Sequence, residues 1–521
     1  MRGLAQRSPD EARRFGRRAF IRTAALGAVA GSAALLPGVS GSLPVSAAGT
    51  FVPTDPDLHL LRRATYGPTA ASLRSIRRMG AARWLEQQLD PASIDDTAVD
   101  DFITSRYPSL WLSVGKAYST LDGSWDLMFD LGQAAIVRAT WSNRQLLEVM
   151  VDFWSNHLNV SNPSDNVWWS RHDYDRRVIR KFALGKFSQM LAASATHPAM
   201  MMYLNNAEST KDNPNENYGR ELLELHSLGV DGGYDEDDMR QSTLVMTGFG
   251  ISWDTGEFEY DKDNHYMGPV SVVDWSAANG SATGGYDVGL RYVDHLAHHP
   301  STAVRIATKL CERFVSDDPP PALVDKLAQT YLHHDTAIAP VLRELFGSKA
   351  FKGAIGAKVR RPMEDVVATL RILGVKPDQT GTDGPQGLYW MLSDLSHQPM
   401  AWTQPNGYPD VASAWKSAGG RLNSWNTHVS LAAQWWPDGL RYPDLKETVL
   451  TKPLPATYGE LVDAVAKRLV YRKLATAHRD TVLTFLGKTN GDALDKTDAA
   501  VTWRLPYLVA LILDSPYHGI R

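Results

Sequence analysis

Cysteine is almost absent. Cys311 stands alone among 521 residues, which excludes an internal disulfide and any cysteine-rich zinc or iron–sulfur site. An excess of one charge is missing too: 54 Lys and Arg face 58 Asp and Glu, and a formal charge of −4 gives no electrostatic case for binding nucleic acid. No apolar run reaches the ~20 residues that span a bilayer; the best late one, Leu505–Leu513, reads as a buried helix. Strand signal is thin and no fixed-period repeat is visible. H-E-x-x-H, EF-hand, Walker A and G-x-S-x-G patterns are lacking, and Gly248-Phe249-Gly250 has neither the third glycine nor the strand–helix context of a dinucleotide loop. What is there is an ordinary globular composition, 43% hydrophobic and 21% charged, which rules out collagen, coiled coil and bulk disorder. At roughly 100–200 residues per domain the length allows two to four units, or one large body with two lobes.

The N-terminus reads as an address. Residues 13–22, RRFGRRAFIR, form a basic cluster, and the next charged side chain after Arg22 is Asp55. The apolar stretch 24–36 fits a signal-peptide core and is too short to span a membrane. Val45-Ser46-Ala47 offers small residues for cleavage after Ala47, with Ser46-Ala47-Ala48 as the one-residue alternative. Paired Arg17-Arg18 followed by Ala19-Phe20-Ile21-Arg22 resembles a twin-arginine signal. Residues 1–48 are therefore expected to be a signal peptide, and the protein is expected to be exported, to the extracellular space, the periplasm or the cell envelope. Seven arginines against Asp10 and Glu11 leave these residues at +5, so the rest of the chain carries −9 of the total −4.

Beyond Thr50 the apolar pattern is mostly helical, with turns marked by Gly and Pro. Helices are expected over 57–65, 69–79, 81–89, 130–140, 143–158, 173–194, 214–228, 236–247, 288–298, 301–315, 321–333, 338–347, 362–373, 387–396, 421–434, 458–470, 475–486 and 498–514. The segments 251–253 and 258–260 around Asp254-Thr255-Gly256 read as a hairpin. The stretch 266–287 reads as a long surface loop. A Gly/Pro/Asp-rich stretch at 375–387 suggests a divide between an N-terminal helical body, 49–374, and a C-terminal helical lobe, 388–521. The expected fold is mainly α, a two-lobed helical body with a small β-hairpin insertion.

Two helices carry polar residues in apolar surroundings. In Asn213-Pro214-Asn215-Glu216 a cap residue, a first-turn proline and a Glu three positions after the cap signal a helix start, and Gly229 offers the left-handed residue that ends it. At about 100° per residue, Tyr218, Leu222, Leu225 and Leu228 share one arc, and Glu221 projects inside it. Glu216, Arg220 and Glu224 line a second stripe with plain surface roles in capping and ion pairing. In the second helix Ser142-Asn143-Arg144-Gln145 reads as a capping box. His157 falls in the middle of the apolar face defined by Leu146, Leu147, Val149, Met150, Phe153 and Trp154, with Gln145, Glu148, Asp152, Ser155 and Asn156 opposite. Burial of a carboxylate or an imidazolium costs several kcal/mol unless it is paired or neutralised. A core hydrogen-bond role and a catalytic or ligand role both satisfy that requirement.

Between these helices lies Arg171-His172-Asp173-Tyr174-Asp175-Arg176-Arg177, whose plain reading is a helix start capped by Asp173 in a solvated charge run. His265 follows the hairpin, where it is either an ordinary loop residue or closes over a cleft. His298-His299, before Pro300, reads as the end of one helix.

Four strings together resemble the domain-of-unknown-function 1800 family: Leu61-Arg62-Arg63-Ala64-Thr65-Tyr66-Gly67-Pro68-Thr69, Phe153-Trp154-Ser155-Asn156-His157, the run from Pro214 to His226 (PNENYGRELLELH), and Leu511 to Tyr517. The likeness covers nearly all of the chain after the signal. This sequence has Gly219 where the family usually has Ala, Leu158 where it usually has Phe, and Asn264-His265-Tyr266 where an HD pair is common, which weakens a ligand pair at His265. The resemblance implies exported, mostly bacterial proteins, often encoded beside a second exported family, the 1501 family. It supplies no reaction.

Three functions stay open. The first is a hydrolase acting on polysaccharide or another envelope polymer, with Glu221 as general acid, Glu224 or Asp173 as the second carboxylate and His157 in the same centre. Arg220, Tyr218, Trp253 and His265 are its expected substrate-binding residues, and Trp168, Trp169, Trp275, Trp402, Trp435 and Trp436 are further loop or turn tryptophans that can stack on sugar rings. The second is a metalloenzyme holding a divalent or transition metal on His157 and Glu221, completed by His172, His226 or His265. Glu-x-x-His pairs of the di-iron bundle kind are missing, since Glu224 and His226 are two apart. The third is a non-catalytic envelope scaffold or partner of the co-encoded 1501-family protein, in which Glu221 and His157 fix core packing.

Overall fold

The helical period carries through the chain. A computed structural model describes residues 51–521 except 122, 379 and 380; the signal-peptide reading of residues 1–48 lies outside the described residues. Among the described residues the architecture is mainly α with three two-stranded antiparallel sheets. Most expected helices lie within a few residues of their observed bounds, among them Pro56–Ala64, Ala70–Met79, Gln145–His157, Pro300–Phe314, Pro362–Leu373 and Tyr458–Val470. Short helices at Thr97–Arg106, Val114–Thr120 and Pro198–Tyr203 were not foreseen, because their apolar period is too brief to register. His298 ends the helix Gly285–His298 and His299 caps the next, accepting from the Ser301 amide at 3.1 Å.

Three local expectations need correction. The hairpin pairs Phe249–Ile251 with Phe258–Tyr260, Ile251 opposite Phe258, so the first strand starts two residues earlier than read. The stretch 266–287 is not all loop: Val270–Val272 pairs with Trp275–Ala277, and Val270 and Val272 are buried in an alternation too short to stand out among Gly and Ser. The helix expected over 173–194 is three pieces: Arg171–Tyr174, a π-helical segment Asp175–Arg180, and Phe187–Ala195.

One hydrophobic cluster runs from Leu60 to Tyr517 and draws on helices along the whole chain. At 375–387, where the sequence suggested a divide, Lys376–Pro377 pairs with Leu440–Arg441 and the helix Asp383–Asp394 packs on Asp126–Trp141. The helix Gln145–His157 is buried nearly all round: Gln145, Glu148 and Ser155, read as an outer face, are in the interior. Its polar side meets cations instead of water. Glu148 takes a two-pronged contact from Arg180 at 2.9 and 2.6 Å, and Asp152 pairs with Arg361.

Arg361 belongs to a buried ionic centre that ties distant segments together. Glu364 receives Arg313, Arg361 and, at 3.3 Å, the C-terminal residue Arg521, while Asp410 lies 3.3 Å from Arg313. Lys358 reaches Asp317 at 2.5 Å. Burial works against the Glu364 carboxylate, but the three guanidiniums hold it ionised well below its usual range. Glycines permit two close approaches elsewhere in the fold. A Cβ on Gly219 would meet Thr243 Oγ1 at 2.4 Å, so a glycine there lets Glu216–Glu221 lie against Glu236–Val245. Gly407, at φ +69°, brings its backbone onto the Asn156 carbonyl, which a Cβ would meet at 2.1 Å.

Candidate functional site

The helix bearing Glu221 begins later than its sequence signals suggest. Asn215 is the cap, its side chain accepting from the Asn217 amide at 3.1 Å, and Pro214 precedes the cap. Glu216 is therefore not a capping-box carboxylate. The α-helical part Glu216–Glu221 passes into a π-helical segment, Leu222–His226, which ends two residues earlier than read, with Ser227 at the cap; Gly229, at φ +88°, lies beyond it and donates to the Leu223 carbonyl at 3.0 Å. Ser142 to Gln145 also departs from a capping box: Arg144 is the cap position, and Gln145 turns back to the Ala139 and Ser142 carbonyls at 3.0 and 2.9 Å. Both π-helical segments fall in the two titratable runs singled out from sequence. An extra residue per turn of this kind shifts side chains out of α register and is frequent at functional sites.

Glu221 sits at the junction, half-buried, and among the described residues it makes no hydrogen bond or ion pair. Burial raises its carboxyl above the usual range, Glu224 adds to the rise, and Arg220 opposes it. Glu224 lies 3.6 Å from Arg220, whose fork also faces Glu236 at 3.1 Å and Glu216 at 3.4 Å. Tyr203 feels the Glu221 charge; its hydroxyl donates to the Thr403 carbonyl at 2.8 Å and is pushed up to about 12, chiefly by burial. Asn159 pins the 402–404 turn beside it, donating to the Trp402 and Gln404 carbonyls at 2.9 and 2.7 Å. Arg171 feels the Tyr203 charge in turn. It is fully buried, with Nε donating to the Val160 carbonyl at 2.8 Å and neither Nη bonded.

His157 is buried as expected, 1% exposed, among the rings of Phe153, Trp154 and Phe187. Its Nε2 lies 3.1 Å from the His226 carbonyl and must donate to it, which leaves Nδ1 bare and without a partner. Burial, then Lys309 and Arg305, keep the ring neutral. His226 is also buried, neither ring nitrogen has a partner, and burial takes it down to about 3. Thus His157 and Glu221 meet no common partner. The imidazole answers to the His226 backbone and the carboxyl to Glu224, Arg220 and Tyr203.

The remaining expected site residues divide sharply. Asp173 is neither a cap nor solvated: Ser170 holds the cap position, and residues 171–175 are all buried. Burial alone would raise its carboxyl, but hydrogen bonds from His197 and Arg176 and the charge of Arg177 bring it down to about 2, an ionised clamp rather than a base in an open cleft. His172 spends Nε2 on the Leu112 carbonyl at 3.0 Å. His265 is buried with both nitrogens committed, to the Thr247 carbonyl at 2.8 Å and Asn279 Oδ1 at 2.9 Å, so it fastens the hairpin region and does not close over a cleft. Tyr218 is wholly buried, which removes it from any substrate surface. Trp253 is 58% exposed; Tyr118 donates to its carbonyl at 2.9 Å and stacks on Trp168 at 6.2 Å. Trp169 is in the core, donating to the Gly256 carbonyl at 2.9 Å.

His157, Glu221 and His172 do not converge as a ligand set. Among the described residues the His/Cys/Asp/Glu group whose ligand atoms all lie within 4.8 Å is Asp365, His428 and His518. Sequence reading missed it, since the three stand far apart in the chain and no spacing links them. It missed Tyr203, which feels the Glu221 charge, for the same reason.

The family model "Protein of unknown function (DUF1800)" matches residues 59–519, which takes in the Glu221 helix, the His157 helix and the Asp365 cluster. The chain belongs to this DUF1800 family. The match carries the four strings noted above, so Glu221 and His157 are read here as positions within a DUF1800 fold. No curated protein and no solved structure matches the chain. Among the described residues no helix is long and apolar enough to cross a membrane.

Proposed function

We propose that this DUF1800 protein is an exported hydrolase acting on a cell-envelope or extracellular polysaccharide, with Glu221 as the proton donor. The observation that carries the reading is the Glu221 carboxyl itself. It is half-buried, unpaired, made harder to ionise than an ordinary carboxyl by burial and by Glu224, and set where an α-helix turns π-helical. A general acid at neutral pH needs a carboxyl of that kind. Glu224, one turn on and partly open, is the second carboxylate, which takes up the proton of an attacking water while Glu221 protonates the leaving glycosidic oxygen. Asp173, spent on His197 and Arg176, has no part in this scheme. His157 acts through the His226 carbonyl as a positioning residue for the π-helical segment. The exposed indoles of Trp253, Trp111, Trp390 and Trp125 supply apolar faces on which sugar rings stack.

The test is release of reducing ends from a panel of envelope and extracellular polysaccharides by the full chain and by Glu221→Gln. A fall of at least ~10²-fold in turnover, with circular dichroism unchanged and no loss of melting temperature, is expected for loss of a general acid. Unchanged turnover in Glu221→Gln removes the mechanism. Absence of turnover on every polymer, together with co-purification of the 1501-family protein, favours a non-catalytic scaffold instead.

A further inference from the structure

Three elements bring a second polar cluster together in the interior, independently of the Glu221 reading. Asp365 lies in the first turn of Pro362–Leu373, His428 in Ala418–Ala432, and His518 in the terminal turn Pro516–Gly519. All three are buried. His428 Nε2 stands 3.2 Å from Asp365 Oδ2, and His518 Nε2 stands 3.5 Å from Asp365 Oδ1. A tetrahedral ion with bonds of about 2.0–2.1 Å separates its ligand atoms by roughly 3.4 Å, so these two edges are already of metal-site length.

The surroundings match what such a site requires. A ligating histidine normally gives its other ring N–H to a carboxylate that fixes tautomer and orientation. His428 Nδ1 does so to Asp514 Oδ1 at 2.6 Å, and Asp514 directly follows the helix Leu505–Leu513. Ser424, one turn before His428, donates to Asp365 Oδ2 at 3.1 Å. Thr369, one turn after Asp365, places its hydroxyl 3.1 Å from His518 Nε2, within reach of the same centre.

A proton on His428 explains only part of this. An imidazolium between Asp365 and Asp514 satisfies one oxygen of each. It leaves Asp365 Oδ1 and Asp514 Oδ2 buried without a hydrogen-bond donor, although His518 faces the former. Buried carboxylate oxygens are ordinarily satisfied, and an orphan of this kind asks for a missing partner. Arg360 and Arg62 bring positive charge near His518, and the two carboxylates counter it.

We propose that Asp365, His428 and His518 hold one divalent transition-metal ion, zinc foremost, through the Asp365 carboxylate and the two Nε2 atoms. Two imidazoles and one carboxylate, with no sulfur, are a donor set for zinc and its first-row neighbours and a poor one for calcium or magnesium. Because the site is buried and joins residues 365, 428 and 518, the ion is structural: it clamps the C-terminal turn onto the central helices. The turn is already fastened by Arg360 to the His518 carbonyl at 2.9 Å and by Arg62 to the Ile520 carbonyl at 3.0 Å, which holds His518 in place for the ion.

The experiment is elemental analysis of the purified full chain, followed by chelation and titration with Zn²⁺ and Co²⁺, read by melting temperature and by the visible spectrum of bound Co²⁺. About one equivalent of metal, a melting temperature that rises on Zn²⁺ addition, and a Co²⁺ band are expected. Asp514→Asn, which leaves all three ligands in place, should weaken Zn²⁺ binding ~10–100-fold, as loss of an orienting carboxylate does. His518→Ala should abolish the Co²⁺ band; should that variant not fold, Asp514→Asn alone decides. No rise in melting temperature and no Co²⁺ band in the stripped wild-type chain overturns the proposal and leaves an Asp–His–Asp ion triad. Metal binding that Asp514→Asn and His518→Ala leave unchanged overturns it as well, placing the metal elsewhere.

Discussion

The ionic centre around Glu364 and the region around Glu221 bury charge in opposite ways. At Glu364 every carboxylate has a cation: Arg313, Arg361 and Arg521 converge on one side chain, with Asp152, Asp410 and Lys358 closing the ring. Around Glu221 the polar groups are left short. Glu221 has no bonded partner, Arg171 leaves both Nη atoms bare, and both His226 nitrogens and the Tyr218 hydroxyl are orphaned in the interior. In the first region each carboxylate is matched by a cation and so ties segments together, although Arg313 Nε and Nη2, Arg361 Nε and Arg521 Nε have no hydrogen-bond partner; the Glu221 carboxyl has no cation bonded to it. An unpaired, half-buried carboxyl does little for stability, so it is where chemistry is to be sought. The contrast predicts that charge removal in the first region unfolds the protein, while in the second it leaves the fold standing.

The largest effect is expected at Glu364→Gln, which deprives three buried guanidiniums of their shared anion. Breaking a buried pair from one side costs about 3–5 kcal/mol, so urea unfolding should show a loss of that order. A loss below about 1 kcal/mol would mean that water reaches the centre, and the contrast would fail. Asp173→Asn comes next and tests where the boundary runs, because Asp173 lies in a π-helical neighbourhood yet is fully paired. Its carboxyl falls from 3.8 unfolded to about 2 folded, so it stabilises at neutral pH by about 2 kcal/mol. That stability is complete above the unfolded value and vanishes as pH falls through about 2. The gap between wild type and Asp173→Asn should therefore close on acidification from pH ~5 to ~2.

How far these regions could be read from sequence follows from the range of the interactions. The helix around His157 and the burial of His157 were legible because period and burial are local: Leu146, Val149, Met150 and Phe153 recur on the helical wheel. Glu221 was legible only in part, since the wheel assumed 3.6 residues per turn and the π-helical segment Leu222–His226 breaks that register. Asp173 was misread because a charge run looks solvated until Arg176, Arg177 and His197 are known to enclose it. The Glu364 centre and the Asp365 cluster were invisible. Residues 152, 313, 364, 410 and 521, like 365, 428 and 518, share no spacing, and each alone reads as an ordinary surface charge. Local physics fixes the helices; the pairing of buried charge is decided only when distant segments meet.

His226→Leu sharpens the contrast from the other side. An imidazole buried with neither nitrogen bonded loses its hydration for no return, a deficit of about 1–3 kcal/mol, and an apolar side chain of similar size removes that deficit. The variant should be as stable as wild type or more so, by up to ~1 kcal/mol after imperfect packing. A drop in melting temperature would show that an ordered water or ligand satisfies His226 in solution, and the region would then be paired after all.

The smallest effect, and the most specific, belongs to Glu221→Gln measured across pH. A carboxyl whose folded pKa lies above its unfolded value is harder to ionise in the folded state, so it penalises folding once the pH passes the unfolded value of 4.5. The penalty saturates above the folded pKa and is absent in acid. Glutamine, nearly isosteric, carries none. The stability of Glu221→Gln relative to wild type should thus be near zero below pH ~3.5 and turn in favour of the variant toward neutrality. Partial exposure of Glu221 screens the effect, which holds it under about 1 kcal/mol. Paired urea titrations at several pH values resolve a trend of that size through its sign. A gap that instead opens against the variant would mean that Arg220 keeps Glu221 ionised, and a carboxylate so held has no proton to give at neutral pH.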